Sequence, residues 1–156
     1  MLRSPRFILP LLLVGALAAC GKNDRDAQID AQFPLKQNYE TTIDSIVPPF
    51  GAAHPNVPVE KIKEVVREHF TFDEYRDDIH KLYSEEHFTD AEFKQIAPLV
   101  QDPAKAQQLG KTPETKAIGE KLNNLMMQTA TDPKLREQAT TRVKDINEEL
   151  GKLDAK

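Results

Sequence analysis

The chain has no tryptophan, one cysteine and only six glycines in 156 residues, and its formal charge of −4 leaves it without any basic excess. A lone cysteine excludes a disulfide within the chain. The acidic balance argues against a nucleic-acid partner, which would call for a basic stripe. The few glycines supply no phosphate-cradling loop, and no run of alternating β-branched residues points to a sheet. There is also no second long apolar run after the first twenty residues. What remains is of single-domain size, with one modest core.

The apolar run that does occur is at the start. Arg3 and Arg6 precede a stretch from Phe7 to Ala19 that becomes rich in small residues toward its end. That is the order of a secretory leader, and it is shorter than the roughly 20 residues a permanent span needs. Leu17-Ala18-Ala19-Cys20 resembles the lipobox of bacterial lipoproteins. The resemblance implies cleavage before Cys20, which takes a diacylglyceryl thioether and an N-terminal acyl chain such as palmitate. Two or more acyl chains, at about 0.8 kcal/mol per buried CH₂, hold a protein on a membrane stably. Gly21 rather than Asp after the cysteine resembles the sorting signal for the outer membrane, with the domain facing the periplasm. Loss of Arg3 and Arg6 with the leader leaves 19 basic against 25 acidic side chains, a charge of −6. The expected organisation is a leader over 1–19, a lipidated N-terminus and flexible polar tether over 20–33, and one helical domain over 34–156.

Within that domain Leu35, Tyr39, Ile43, Ile46 and Val47 form the stripe of an amphipathic helix that Pro48-Pro49 is expected to end. Pro48 to Pro58 reads as a loop. An eight-residue pattern then recurs eighteen residues on, from His69-Phe70-Thr71 to Arg76 and from His87-Phe88-Thr89 to Lys94. Each copy is a helix start: Thr71 and Thr89 as N-caps, Glu74 and Glu92 completing capping boxes, and Phe70 with Tyr75, Phe88 with Phe93, as hydrophobic staples. Helices are predicted over about 59–69 and 72–86, and from Asp90 toward Val100 with Pro98 kinking or ending it. Asp102-Pro103, Thr112-Pro113 and Asp132-Pro133 read as later starts with proline in the first turn. Gly110 and Gly151 read as C-terminal caps. Leu135, Ala139, Val143, Ile146 and Leu150 give the last helix one narrow apolar stripe that docks by one edge. The fold class expected is all-α, a compact bundle of about six or seven short helices.

The stretch Val59 to Leu122 resembles the bacterial domain of unknown function 2059, a family of mostly small exported helical proteins. The likeness is carried by Tyr83 and His87-Phe88-Thr89-Asp90-Ala91-Glu92-Phe93, with Asp102-Pro103 similar to the family's Ser/Thr-Pro step and Pro113-Glu114 to its later Pro-Glu. The chain departs from the family at Leu99-Val100, where aromatic residues are common there, and at Lys105, where glycine is. The resemblance implies a helical fold and offers no catalytic residue.

Candidate chemistry is sparse. His69, His80 and His87 with Glu85 or Glu86 carry ligand types suited to zinc, but no His pair stands four apart as in H-E-x-x-H. Asp73-Glu74, Asp77-Asp78 and Glu85-Glu86 lack the central glycine of a calcium loop and read as solvated helix faces. No G-x-S-x-G or S-x-x-K nucleophile is present. Met126-Met127, following Leu122 and Leu125, reads as core or as one wall of a soft apolar groove. No cofactor or metal is expected. The residues point to a membrane-anchored, non-enzymatic module that binds an envelope protein or an apolar ligand. The alternatives are an envelope enzyme or enzyme subunit using His80, Glu85 and His87, and a peptidoglycan tether through the C-terminal Lys156.

Overall fold

The computed structural model describes residues 22–102 and 110–155, and all regular structure among them is helical. The helices are α1 (Lys22–Gln32), α2 (Leu35–Ala53), α3 (Val59–His69), α4 (Phe72–Leu82), α5 (Asp90–Val100), α6 (Pro113–Thr131) and α7 (Pro133–Asp154). The expected all-α bundle is therefore what forms. Cys20, Pro103 and Lys156 lie outside the described residues.

Two apolar clusters organise the helices. The first takes Tyr39, Ile43, Val47 and Phe50 from α2, Ile62, Val65 and Val66 from α3, and Ile146 and Leu150 from α7. The helices α2 and α3 run antiparallel, and their register is marked by Glu40–Arg67 at 2.6 Å and Asp44–Lys63 at 2.8 Å. The second cluster joins Ile29 of α1 to Tyr83 and Phe88 of the α4–α5 turn, Phe93 and Ile96 of α5, and Ile118 of α6. Helix α4 has no fully buried side chain. It lies between the clusters, and its Phe72 and Tyr75 pack against both.

The helix starts read from sequence form as local chemistry dictates. Both capping boxes are complete: the Thr71 and Thr89 hydroxyls accept from the N–H groups of Glu74 and Glu92, whose carboxylates accept from the cap N–H groups in return. Phe70 and Tyr75 meet edge to face with ring centroids 6.2 Å apart, while Phe88 and Phe93 are both buried in the second cluster. Thr112 and Asp132 cap α6 and α7, each with proline following. Gly110 has φ +80°, the left-handed region that favours glycine, while the residues before it that it is expected to cap lie outside the described ones.

Four expectations are corrected. Helix α2 does not stop at Pro48-Pro49 but continues to Ala53. Those prolines deprive the Asp44 and Ser45 carbonyls of their donors, yet all four residues are exposed, so water can take the carbonyls. The helix is carried on because Phe50, one turn past Val47, belongs to the same cluster. Helix α4 ends at Leu82, a turn earlier than predicted, and Tyr83 begins the connection to α5. Gly151 lies inside α7, where the half-buried Leu153 extends the packed stripe. Finally, of the expected tether over 20–33, residues 22–32 are the helix α1, packed on the second cluster by Ile29 and, just beyond its end, by Phe33.

Arg25 explains why so polar a helix is ordered. Its side chain is 2% exposed. Nη1 donates to the carbonyls of Tyr83 at 3.0 Å and Phe88 at 3.1 Å, and Nη2 donates to Asp90 Oδ1 at 2.6 Å. The guanidinium lies 4.4 Å from the centroid of the Phe93 ring. One cation thus takes two carbonyls of the α4–α5 connection that no helix can satisfy, and it links α1 to the first residue of α5. Nε has no partner, which limits the net gain. Arg25→Ala is expected to cost about 2–4 kcal/mol, because it strips both carbonyls and the ring of their partner. Denaturant unfolding checks the magnitude. Amide exchange should show α1 losing protection well before α3.

Candidate interaction site

The histidines singled out from sequence are separated by the fold. His80, in the last turn of α4, places Nε2 2.8 Å from Asp30 Oδ1 and Nδ1 3.9 Å from Asp26 Oδ1, both on α1. His69, at the end of α3, places Nε2 3.1 Å from Glu149 Oε2 on α7. His54, which sequence reasoning passes over, lies 3.1 Å from Asn147 Oδ1 and 3.9 Å from Asp154, again on α7. Each of these three imidazoles therefore pins a terminal helix to the middle of the chain. Histidines at the ends of α3 and α4 also suit the negative ends of those helices.

His80 and His87 do share one feature. They line a cleft of about 520 Å³ with Asp26, Asp77, Lys81, Ser84 and Glu86. Glu85 does not line it, and His69 lines a different cleft of about 430 Å³ with Glu137, Gln138, Thr141, Arg142 and Asp145. The paper zinc set of three histidines is thus divided between two places. Among the described residues no group of three or more His, Cys, Asp and Glu side chains is arranged to hold a metal ion. The acidic clusters are solvated, as read: Asp73 and Asp78 are exposed and pair with Arg76 at 3.3 Å and Lys81 at 3.6 Å on their own helix.

The more distinctive feature lies where α6 meets α7. Helix α6 leaves the second cluster after Ile118, Leu122 and Leu125, and α7 enters the first only at Ile146. Every residue from 126 to 141 is exposed. Asp132 alone interrupts the two helices, and its carboxylate accepts from the N–H groups of Lys134 and Leu135. On this corner Met126 is 58% exposed and Met127 56%, and Leu135 and Val143 are 43% and 50% exposed. Met126-Met127 are therefore neither core nor the lining of an enclosed groove. The α7 stripe joins the core only along its C-terminal half, so Leu135, Ala139 and Val143 are left exposed. Sequence periodicity locates this stripe without revealing that half of it is uncovered. Among the described residues no helix is long and apolar enough to cross a membrane.

The middle of α6 is tied to α5 through a capping residue. Glu92 accepts from Lys121 Nζ at 3.1 and 3.2 Å while it holds the Thr89 N–H, and the same ammonium lies 5.1 Å over the Phe88 ring. Its acidity is shifted accordingly. The Thr89 N–H and then Lys121 hold the Glu92 carboxyl below the usual range, and the Thr71 N–H chiefly does the same for Glu74. A depressed carboxyl contributes stability above its unfolded-state pKa and loses it as pH falls through the folded-state value. Stability should therefore drop on the acid side of the ordinary glutamate range. Glu92→Gln, which keeps a cap acceptor, is expected to flatten that acid limb, as thermal melts at successive pH values would show.

Compared with known proteins, the chain matches no family model, no curated protein and no solved structure.

Proposed function

We propose that this chain is a lipid-anchored, non-enzymatic module of the bacterial envelope, held at Cys20 and binding through the exposed corner of α6 and α7. The observation that carries the binding reading is the unbroken exposure from 126 to 141 on regular helix, with four large apolar side chains on or beside it. Exposed apolar side chains gathered on one part of a molecule mark an interaction site, where single scattered ones do not. The corner is helical without tertiary support because its ends are fixed locally, by the Asp132 cap and Pro133 in the first turn of α7.

Support for the anchor is the Leu17-Ala18-Ala19-Cys20 lipobox and the leader before it. Outer-membrane attachment with the domain in the periplasm is the location we favour, on the strength of Gly21. The resemblance to the domain of unknown function 2059 fits an architectural role. The residues that carry it include Thr89 and Glu92, which bond a helix end, and Phe88 and Phe93, which fill a core.

A catalytic reading has one observation in its favour, the cleft shared by His80 and His87. Against it, His80 is already engaged by Asp30 and Glu85 lies elsewhere.

Two measurements test the proposal. The mature N-terminal peptide should carry acyl mass on Cys20, and Cys20→Ser should move the protein from the membrane to the soluble fraction. An unmodified peptide with unchanged fractionation would remove the anchor from the reading. In cells, the triple variant His80→Ala, Glu85→Ala, His87→Ala should behave as the parent does provided it folds. A folded triple variant that reproduces the deletion phenotype would favour the enzyme.

A further inference from the structure

The corner between α6 and α7 combines two properties that point to one kind of surface. Its apolar side chains include adjacent methionines, which are unbranched and adapt to irregular surroundings. Its formal charge over 126–141 is balanced, Lys134 and Arg136 against Asp132 and Glu137, but Glu137 lines the cleft beside His69 and leaves the two cations beside Leu135. Between Leu122 and Arg136 the sole acid is Asp132, whose carboxylate is committed to the first N–H groups of α7. Lys134 and Arg136 are exposed, and neither has a carboxylate partner among the described residues. The neighbouring cations differ: Lys121 is held by Glu92, Arg142 by Glu74 and Lys144 by Glu148. Lys134 and Arg136 thus sit on either side of Leu135, one turn from the methionine end of α6.

We infer that this corner lies on the surface of an anionic phospholipid bilayer, with Met126, Met127 and Leu135 among the acyl chains and Lys134 and Arg136 at the phosphates. The inference rests on the proposed lipidation of Cys20, which brings the protein to a bilayer. Cys20 precedes Arg25 by five residues, at most about 18 Å of chain, and Arg25 is fixed to the Phe88 carbonyl. Lys121 of α6 lies over the ring of that same Phe88. The lipidated end therefore enters the molecule at the cluster from which α6 departs toward the corner. A helix with apolar residues on one side and lysine and arginine flanking them is the composition that binds a lipid interface. A second copy fits less well, since a two-fold contact through this face would bring Lys134 and Arg136 toward their own counterparts.

The lack of any native tryptophan permits a direct test. Met126→Trp is introduced into the full chain, recovered from bacterial membranes and reconstituted in vesicles of phosphatidylethanolamine and phosphatidylglycerol containing brominated phospholipid. Glu60→Trp, at an 82% exposed side chain on α3, is the control. The corner indole of the first variant should be quenched and blue-shifted, and the α3 indole of the control should not. Replacing phosphatidylglycerol by phosphatidylcholine should weaken the quenching. Lys134→Gln with Arg136→Gln should lower the docked-to-free ratio roughly thirtyfold, given about 1 kcal/mol for each basic residue at an anionic surface. The mass of the N-terminal peptide is read on the same sample. Acylated protein with an unquenched corner indole would overturn the docking and leave the anchor standing. Unacylated protein with a quenched one would support the docking and sink the anchor. Unacylated protein without quenching would sink both. Burial of the corner indole without vesicles, in step with a dimer in sedimentation, would overturn the inference in favour of a second copy.

Discussion

The Arg25 guanidinium holds together what the rest of the chain leaves apart. Helix α4 ends at Leu82 and α5 starts at Asp90, and the connection between them has carbonyls that neither helix can use. A hydroxyl could satisfy one of them. Arg25 reaches two and adds Asp90, and its flat face rests on Phe93. Once it is in place Ile29 is fully buried, and Asp26 and Asp30 stand on the side of α1 that His80 meets. The order of α1, the shape of the turn and the walls of the His80 cleft all depend on this one side chain. Burying a cation is costly, and here the cost is offset by three charge-assisted hydrogen bonds and an aromatic ring.

A second constraint is the division of apolar residues into two clusters. With few aromatics and no tryptophan, neither cluster is large, and each relies on polar ties at its margin. Around the first these are Glu40–Arg67, Asp44–Lys63, His69–Glu149 and the Tyr39 hydroxyl, which donates to the Phe70 carbonyl at 2.8 Å. Around the second they are Arg25 and the Glu92–Lys121 pair. Tyr83, in that second cluster, shows how dry it is: burial pushes the pKa of its hydroxyl up to about 12. The corner of α6 and α7 follows from this division, for it is the path between a helix that belongs to one cluster and a helix that belongs to the other.

What can be read from sequence is what is decided within a few residues. The caps at Thr71, Thr89, Thr112 and Asp132 are contacts between a side chain and a backbone N–H two or three positions on, so spacing alone reveals them. Helix α1 reads as a tether because composition dominates a short polar run, while its order comes from acceptors 58 to 65 residues away. A signal is present in Arg25, Ile29 and Phe33 at intervals of four. Pro48-Pro49 misleads for a similar reason: local propensity favours a stop, and the distant demand for Phe50 in the core outweighs it. For the candidate site, the α7 stripe is legible and its emptiness is not. Periodicity says which side of a helix is apolar; only the fold says what covers it. His69 and His80 look like ligands in a one-dimensional list because nothing there reveals that each faces a carboxylate on another helix.

The Arg25 contacts also bear on the order in which the protein can fold as it is made. A chain emerges from its N-terminus, and domains fold as their parts become available. Helix α1 comes first, yet its partners extend to Asp90, 65 residues later. The closing helix α7 must return to the His54 loop, where Asp154 accepts from the N–H of Asn56 across 98 residues. The earliest of the described helices is thus the one whose buried cation finds its last partner only 65 residues later. The α2–α3 pair can close before any acceptor for Arg25 exists, so α1 docks onto structure that is already partly formed.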